Sequence, residues 1–532
     1  MVFLLLAFAT LILYIDLSEM WVSVGQGKAK FNHLIFEFEI PLILLLLSFF
    51  HFAQIENLFI RFFVPIIPIV ILYLLFDSFY NVLGRSPYPS DFQNFNSLWD
   101  FSPMMGVGLV LIFLTIPAVF LFLLYRAYQS YPSKQFKQSL LLRTVFISLT
   151  AFTLTTDTFA NFHNEQFRYY FWSEEFTVRE NGKFSSFIYY NNQERASTRK
   201  LEKFVSHNTD IDVLETLYTG EINTPKNIHL IVLESFIDPT QLKDIEFSHP
   251  ILAKELLPYL NDNKFFSMVT SPVYGGGTAQ AEFELLTGIQ ALSKVNRIEF
   301  NVMQGGNISS FVKKLNQNNY KTIATIATGS GFFNSIQAYK SIGFDEVFFL
   351  GEDELFKQQR NYGLIFDGDL FEHNIRNLKK ILKQKEGPIF NYVLGMYGHL
   401  PYSRNKTERP DIVKVSPPNK NVKRIANQFY YRTKAIAAYI KQLIALDKNS
   451  IIYITSDHIP PILSDKTAYK LNNKSNISLF INNGKTLDVS GKKYYELPWF
   501  IWDQLTGTET QRLIEEKQME AIYFQVLSES IS

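Results

Sequence analysis

The chain has 532 residues and a formal net charge of +1 at pH 7. This length allows two to four domains, and the near-neutral charge gives no electrostatic support to a general nucleic-acid function. Cysteine is absent, which excludes disulfides, thiolate metal sites and a cysteine nucleophile but is neutral on the cellular compartment.

Five apolar segments occupy the first third of the chain, at residues 2–15, 33–52, 58–76, 105–125 and 144–159. The middle three approach the ~20 residues that a helix needs to cross a bilayer. The first lacks a basic start and a small-residue cleavage site, so we interpret it as a retained span and not as a signal peptide. The fifth is rich in hydroxyl side chains and could instead be a surface helix. We predict a five-helix transmembrane domain over residues 1–160.

The charges of the loops predict the orientation of this domain. The loop after the fourth segment carries four basic residues and no acidic one, which is typical of the cytoplasmic side. The loop before it holds a single basic residue, Arg85. With five spans in the inner or cytoplasmic membrane, the rest of the chain is then extracytoplasmic. Residues 161–226 are polar, and we interpret them as a structured juxtamembrane connector.

Short apolar runs alternate with helical patterns over residues 227–532. This alternation predicts an α/β domain with a doubly wound, largely parallel sheet that is covered by helices on both faces. The predicted strands are 228–233, 265–269, 320–326, 388–396, 451–455 and 477–481. The predicted helices between them include 251–261, 308–318, 369–384 and 422–446. In sheets of this kind, ligands bind beyond the carboxyl ends of the strands.

A glycine turn follows the second predicted strand. In the stretch SPVYGGGTAQAEFELLTG, three consecutive glycines run into Thr278 and then into good helix formers. A turn that ends at the start of a helix can present backbone N–H groups to an anion, and the helix dipole adds to the attraction. Next to a metal ion, a hydroxyl at this point could ionise and attack phosphorus. By itself the pattern favours a threonine that only caps the helix, because short glycine motifs often match by chance.

Polar side chains follow several of the predicted strands. Glu234 comes after the first strand, His399 after the fourth, and Asp457 and His458 after the fifth. Singly these residues could cap a helix, make an Asx turn or lie on the surface, but together with Thr278 they indicate a site. Carboxylates, an imidazole and a hydroxyl suit Mn²⁺, Mg²⁺ or Zn²⁺, and the ligand types leave that choice open. His399 would bind a phosphate oxygen or assist the leaving group.

The motifs VLESF, YGGGTAQAEFELLTG, GHLPY and SDHIPP follow the five apolar segments in that order. The combination resembles the lipoteichoic acid synthase and phosphoglycerol transferase group, which belongs to the alkaline phosphatase and sulfatase superfamily. The resemblance implies one divalent metal ion, with Mn²⁺ as the first choice and Mg²⁺ or Zn²⁺ as alternatives. Its ligands would be Glu234, Thr278, Asp457 and His458.

The same resemblance implies a reaction and its partners. Thr278 is expected to be the nucleophile that forms a phosphoglycerol-threonine intermediate, and His399 is expected to bind the phosphoglycerol group. Phosphatidylglycerol in the membrane is the expected donor, and a cell-envelope glycolipid or polysaccharide is the expected acceptor. Nucleic acid is not an expected partner.

Two positions depart from that group. Members that use phosphatidylglycerol often carry a histidine after the third predicted strand, where this chain has Ala327 and Thr328. They often carry an arginine after an aromatic-asparagine pair, where this chain has Ser335. Phosphoethanolamine transfer is therefore an alternative, although relatives of that type usually contain disulfides. A catalytically silent scaffold is another, whereas sulfatase chemistry requires a C/S-x-P-x-R motif that is absent around Thr278.

Overall fold

The computed structural model describes residues 76, 156–169, 177–178, 181–205, 211–261, 265–292, 299–330, 334–352, 364–384, 387–399, 402–460, 462 and 469–530. The five predicted transmembrane segments lie outside these residues, apart from Phe76 and residues 156–159. Within the described ranges, no helix has both the length and the apolar character that a bilayer span requires. The chain divides into two compact units, Met1–Ala196 and Ser197–Ser532, and the domain boundaries that we place at residues 160 and 226 stay predictions.

The first unit contains α1 (Asp157–Gln166) and most of α2 (Lys183–Val205). Thr156 caps α1, because its hydroxyl oxygen accepts a hydrogen bond from the Phe159 N–H at 3.3 Å. Aromatic stacking joins the two helices, with 4.1 Å between the ring centroids of Phe167 and Tyr189. Much of the predicted connector is therefore helical.

The second unit is built on one eight-stranded sheet with the order β10-β9-β8-β1-β6-β4-β5, in which β3 pairs with β9. The five strands from β8 to β5 are mutually parallel, whereas β3, β9 and β10 are antiparallel to their neighbours. A separate pair joins β2 and β7. The strands are β1 (Ile228–Leu233), β2 (Glu246–Phe247), β3 (Ser267–Thr270), β4 (Lys321–Ile326), β5 (Glu346–Phe349), β6 (Ile389–Gly395), β7 (Val415–Ser416), β8 (Ile451–Ser456), β9 (Ser475–Asn482) and β10 (Lys485–Leu487).

Helices connect and cover these strands. They are α3 (Val213–Leu217), α4 (Thr278–Thr287), α5 (Glu299–Val302), α6 (Phe311–Gln317), α7 (Ser335–Ile342), α8 (Asp367–Gln384), α9 (Lys420–Leu446), α10 (Glu496–Thr506) and α11 (Glu516–Glu529). The prediction of a mostly parallel sheet covered by helices is thus confirmed. Each of the six predicted strands overlaps an observed one, and three of the four predicted helices are found.

The exception is the predicted helix at residues 251–261, which is wrong. The structure has a 3₁₀ helix there, Lys254–Tyr259, with Pro258 inside it. Proline lacks the N–H that an α-helix interior needs and clashes with the preceding turn, whereas a short 3₁₀ segment tolerates the interruption.

A buried polar network attaches α8 and α9 to the middle of the sheet. The amide of Asn374 on α8 donates to Asn391 on β6 at 2.8 Å, and Asn391 lies 3.2 Å from the imidazole of His229 on β1. Tyr439 on α9 donates to Asn374 at 2.5 Å. Burial lowers the pKa of His229 to about 4, so this histidine is neutral at physiological pH. The network fixes both helices against the strands whose ends carry the candidate site.

Candidate active site

Two neighbouring parallel strands place the carboxylates of the site side by side. In the register of β1 and β8, Leu233 lies opposite Ser456, so the next residues, Glu234 and Asp457, leave the same edge of the sheet. The Glu234 N–H donates to the Gly395 carbonyl oxygen at 2.8 Å, which extends the β1–β6 ladder by one residue. Both carboxylates are buried, with Glu234 3% exposed and Asp457 0% exposed.

Ser235 orients both carboxylates, and the sequence did not single it out. Its backbone N–H donates to Asp457 Oδ1 at 2.8 Å, and its hydroxyl donates to Glu234 Oε1 at 2.7 Å. Ser235 has a φ of +49°, a conformation that non-glycine residues adopt rarely and that often marks functional sites. Only its position next to Glu234 could have drawn attention to it.

The glycine turn ends at α4 as predicted, and its three glycines need their conformational freedom. Gly275, Gly276 and Gly277 have φ values of +68°, +157° and +90°, which side chains with a Cβ avoid. The Gly275 N–H donates to the Ile459 carbonyl oxygen at 3.2 Å. This bond ties the turn to the segment that carries Asp457 and His458.

Thr278 is the first residue of α4, and Gly277 occupies the N-cap position. The Thr278 hydroxyl therefore does not cap the helix. It donates to Asp457 Oδ2 at 2.8 Å and approaches Glu234 Oε2 at 3.3 Å. The structure thus directs the hydroxyl at both carboxylates.

His458 completes the cluster. Its Nε2 lies 3.3 Å from Asp457 Oδ2 and 3.5 Å from Glu234 Oε1. Its Nδ1 lies 3.2 Å from the Ile459 carbonyl oxygen, an arrangement in which Nδ1 carries the proton and Nε2 keeps a lone pair for a metal. One ligand atom from each of Glu234, Asp457 and His458 falls within a mutual distance of 4.8 Å.

The electrostatics of the cluster fit a divalent cation. Burial, together with the neighbouring Glu234 charge, raises the pKa of Asp457 above its ordinary value. Burial by itself would raise the pKa of Glu234. The net effect is a lowered pKa, because the charges of His458 and His399 and the hydrogen bonds to Asp457 and Ser235 outweigh the effect of burial. Two buried carboxylates this close are stable only if a proton or a cation separates their charges. Hard oxygen ligands with one imidazole nitrogen suit Mn²⁺, Mg²⁺ or Zn²⁺.

His399 lies beside this cluster and is not one of the three grouped ligands. It follows β6 in a tight turn, where its N–H donates to the Met396 carbonyl oxygen at 3.1 Å. Its ring is near enough to help lower the pKa of Glu234. His399 is partly exposed, which suits contact with a substrate better than contact with a buried ion.

Gly398 and a buried ion pair support that turn, and the sequence pointed to neither. A Cβ at Gly398 would lie 1.9 Å from the Glu234 carbonyl oxygen and 2.5 Å from Arg432 Nη1. Arg432 on α9 pairs through Nε with Asp367 Oδ2 at 2.6 Å, and the pair is almost fully buried. The turn that carries His399 therefore packs directly against the backbone of Glu234.

Glu282 is a further residue that the sequence did not single out. It lies one turn after Thr278 on α4, is 3% exposed, and accepts hydrogen bonds from Tyr339 at 2.5 Å and Tyr392 at 2.7 Å. Burial raises its pKa to about 7. Because Tyr392 belongs to β6 and Tyr339 to α7, Glu282 ties the helix that begins at Thr278 to the sheet. The sequence signal that could have identified Glu282 is a glutamate within a largely apolar predicted helix.

The two positions that depart from the resembled group lie at or near the same edge of the sheet. The Ala327 N–H donates to the Leu394 carbonyl oxygen at 3.0 Å, which extends β4 toward this edge. Ser335 is the first residue of α7 and is buried. Asn334 donates to the carbonyl oxygens of Phe300 and Met303. No imidazole or guanidinium comes from residues 327, 328 or 335.

The mostly parallel sheet carries a hydroxyl, two carboxylates and an imidazole at its carboxyl edge, which is where ligands bind in α/β enzymes. The sulfatase family model matches residues 226–520, which is more than half of the chain. The chain therefore belongs to the sulfatase family, and the resemblance inferred from the motifs is confirmed at that level.

Three proteins similar to this chain share between 16% and 24% sequence identity with it. A cyclic β-1,2-glucan modification protein of Rhizobium meliloti (strain 1021) is 24% identical over 447 residues, covering 79% of this chain. The chain spans 65% of the length of that relative. Among solved structures, the lipoteichoic acid synthase LtaP from Listeria monocytogenes is 16% identical, with a TM-score of 0.42 over 56% of this chain and 78% of that one. The Streptococcus pyogenes phosphoglycerol transferase GacH is 17% identical, with a TM-score of 0.45 over 64% of this chain and 92% of that one.

Proposed function

We propose that this protein is a membrane-anchored, metal-dependent phosphotransferase that moves a phosphoglycerol group from a phospholipid to a cell-envelope glycan. Residues 1–160 would anchor it in the cytoplasmic membrane, and the catalytic unit would act outside that membrane. The observation that carries the proposal is the position of Thr278, whose hydroxyl donates to Asp457 and approaches Glu234 at the start of a helix.

Thr278 would act as the nucleophile of the first step. Its Oγ1 forms a bond to the phosphorus of the donor, and the bond from phosphorus to the diacylglycerol oxygen breaks. The hydroxyl proton is already directed at Asp457 Oδ2, 2.8 Å away, so that oxygen is placed to take it. His399 would give a proton to the departing diacylglycerol oxygen. The products of this step are diacylglycerol and a phosphoglycerol-threonine.

The second step reverses the first with a different alcohol. A hydroxyl of the acceptor loses its proton to His399 and attacks phosphorus, and Thr278 Oγ1 leaves and regains a proton from Asp457. Microscopic reversibility gives each residue the opposite role in the two steps. The acceptor then carries the phosphoglycerol group, and the enzyme returns to its starting state.

Glu234, Asp457, His458 and Thr278 would hold the metal ion. When bound, the ion supplies positive charge that lowers the pKa of the Thr278 hydroxyl and offsets the charge on the phosphoryl oxygens. The role of Ser235 is to keep both carboxylates in place through its backbone N–H and its hydroxyl.

Mass spectrometry of the Thr278 peptide tests this function. The full chain is incubated with vesicles of phosphatidylglycerol and, separately, of phosphatidylethanolamine, with Mn²⁺ and without an acceptor, and then quenched in acid. We expect the mass of a phosphoglycerol on Thr278 from the first vesicles and no added mass in Thr278→Ala. A phosphoethanolamine from the second vesicles alone would overturn the assignment of the head group. Steady release of diacylglycerol by Thr278→Ala would overturn the covalent mechanism.

A further inference from the structure

A cavity of about 320 Å³ opens between the first two turns of α8, the middle of α9 and Arg409. We call it the side cavity. Its walls include Asp369 and Glu372 from α8, and Tyr431 and Ala438 from α9. This volume is at the lower end of the ~300–1,000 Å³ typical of small-molecule sites, and it suits a small part of a larger ligand.

We propose that the side cavity binds a neutral sugar unit of the acceptor. The proposal rests on the proposed phosphotransfer and adds to it the place and the chemical class of the acceptor. Neither the motifs nor the family match assigns any role to this cavity.

The charges of the lining favour a neutral polyhydroxyl ligand. Three carboxylates, from Asp369, Glu372 and Glu408, face two cations, from Arg409 and Lys434. The excess of negative charge disfavours a phosphate or the anionic head group of the donor. Hydroxyl groups can donate to the carboxylates and accept from the two cations, so a sugar can use both kinds of group.

One aromatic ring of the cavity is placed for a sugar face. The Tyr431 ring is partly exposed, and its hydroxyl donates to the Pro410 carbonyl oxygen at 3.0 Å, which fixes the ring. The Phe366 ring is covered by Arg409, whose guanidinium carbon lies 4.1 Å from the ring centroid. The apolar C–H face of a pyranose packs on an aromatic ring because both then bury apolar area. Arg404 lies farther from the Tyr431 ring, with its guanidinium carbon 6.0 Å from the ring centroid, so Tyr431 has the more open face for a sugar.

The inner wall of the cavity also adjoins the catalytic turn. Asp367 lies between Phe366 and Gly368 of the lining and pairs with Arg432 at 2.6 Å. The space at Gly398 is bounded by the same Arg432 and by the Glu234 backbone. Asp367 and Arg432 therefore link the start of α8, which lines the side cavity, to the Glu234 backbone and to the turn that carries His399. An acceptor with one sugar bound here could present its next hydroxyl to the phosphoglycerol-threonine.

Blocking the cavity tests the proposal. Ala438 is an exposed position of α9 that lines the cavity, so Ala438→Trp fills it without replacing a core residue. Lys441→Trp places the same indole on an exposed position of α9 outside the lining, and is the matched control. The full chain in phosphatidylglycerol vesicles is first converted to the Thr278 adduct. Loss of the adduct is then followed with a soluble neutral β-1,2-glucan, with diglucosyl diacylglycerol, or with neither.

We expect one of the two glycans to accelerate loss of the adduct, and the arm that does so shows whether the acceptor is a soluble glucan or a glycolipid. The acceleration is the rate of adduct loss with glycan divided by the rate of hydrolysis without glycan. It should fall at least about tenfold in Ala438→Trp, which is equivalent to ~1.4 kcal/mol of lost binding free energy. In Lys441→Trp it should stay within about twofold of the wild-type value. Equal acceleration in both variants, or no acceleration by either glycan in the wild type, would overturn the proposal.

A second readout does not depend on turnover. Lys434 lines the cavity and is exposed, so bound glycan should slow acylation of its amine several-fold while leaving Lys441 unaffected. If the wild type forms no adduct at all, the proposed function fails, whereas protection of Lys434 would still support a sugar site. An unchanged rate of Lys434 acylation at saturating concentrations of both glycans would contradict a sugar site in the side cavity.

Discussion

Gly398→Ala should damage catalysis through one methyl group. The added Cβ would lie 1.9 Å from the Glu234 carbonyl oxygen, and the two atoms must move apart by about 1 Å to reach the 3.0 Å below which such contacts essentially never occur. Arg432 Nη1, at 2.5 Å, closes the other side. Gly398 does not have a positive φ, so the effect is steric and not conformational. Overpacking of this kind costs about 1–3 kcal/mol of folding free energy.

The larger effect should be on the rate. A misplacement of about 1 Å at catalytic groups can cost roughly 100-fold, which is ~2.7 kcal/mol in the activation barrier. The expected loss of stability corresponds to a decrease in Tm of about 2–10 °C. We would measure both the Tm and the rate at which the Thr278 adduct forms from phosphatidylglycerol, using the full chain at a temperature where the variant is folded.

Gly484→Ala is the control. Gly484 lies in the turn between β9 and β10 with a φ of +73° and no atom within 4 Å of an added Cβ, so its substitution strains the backbone by about 1–2 kcal/mol. The neighbouring Asn482 pairs with Ile451 at the start of β8, at the opposite end of that strand from Asp457. Gly484→Ala should lower the Tm and leave the rate of adduct formation unchanged. A wild-type rate in Gly398→Ala, or an equal loss of rate in both variants, would refute the reasoning.

Three further predictions concern the metal, the helix that begins at Thr278 and the pH dependence of stability. Removal of divalent ions by a chelator should stop adduct formation, and Mn²⁺ should restore it; activity that persists in excess chelator would contradict a metal site. Glu282→Leu should destabilise the fold by about 1–3 kcal/mol for each of the two tyrosine hydroxyls left without an acceptor, and Glu282→Gln should lose less, as measured by thermal unfolding. Burial raises the pKa of Glu284 to about 8 from its ordinary 4.5. Between these pH values the folded state therefore binds a proton that the unfolded chain releases. The contribution of Glu284 to folding stability is complete below pH 4.5 and declines as the pH rises to 8. The amide oxygen introduced by Glu284→Gln can still accept a hydrogen bond from the Ala291 N–H. The variant should therefore become more stable than the wild type as the pH rises from 4.5 to 8. If the unfolding free energies of both proteins change in parallel with pH, Glu284 is already ionised in the folded wild type.

The sequence predicted the strand ends well because the signals are local. Apolar runs bounded by polar residues identified β1, β6 and β8, and the rule that ligands bind at carboxyl ends then selected the residues that follow them. No local sequence pattern reveals the pairing register between neighbouring strands. Glu234 and Asp457 meet because Leu233 lies opposite Ser456 in neighbouring strands, and that pairing joins segments more than 200 positions apart in the printed sequence.

The supporting residues escaped prediction for the same reason. Arg432 and Asp367 are separated by 65 positions, and neither stands out until α8 and α9 are placed on the sheet. The role of Ser235 depends on a positive φ, which the pattern VLES does not reveal. Gly398 was visible only as part of the motif GHLPY, and its need for close approach to the Glu234 backbone appears once the turn is folded. The metal, nucleophile and phosphate-binding roles assigned to the predicted residues stay predictions.

Electron paramagnetic resonance of Mn²⁺ bound to the full chain tests the central claim most directly. We predict one bound Mn²⁺ per chain with a single coordinated imidazole nitrogen, detected by spin-echo modulation. That nitrogen signal should vanish in His458→Gln and persist in His399→Gln, and Asp457→Asn should weaken Mn²⁺ binding itself. A nitrogen signal that survives in His458→Gln, or full Mn²⁺ affinity in Asp457→Asn, would show that the cluster around Thr278 is not the metal site.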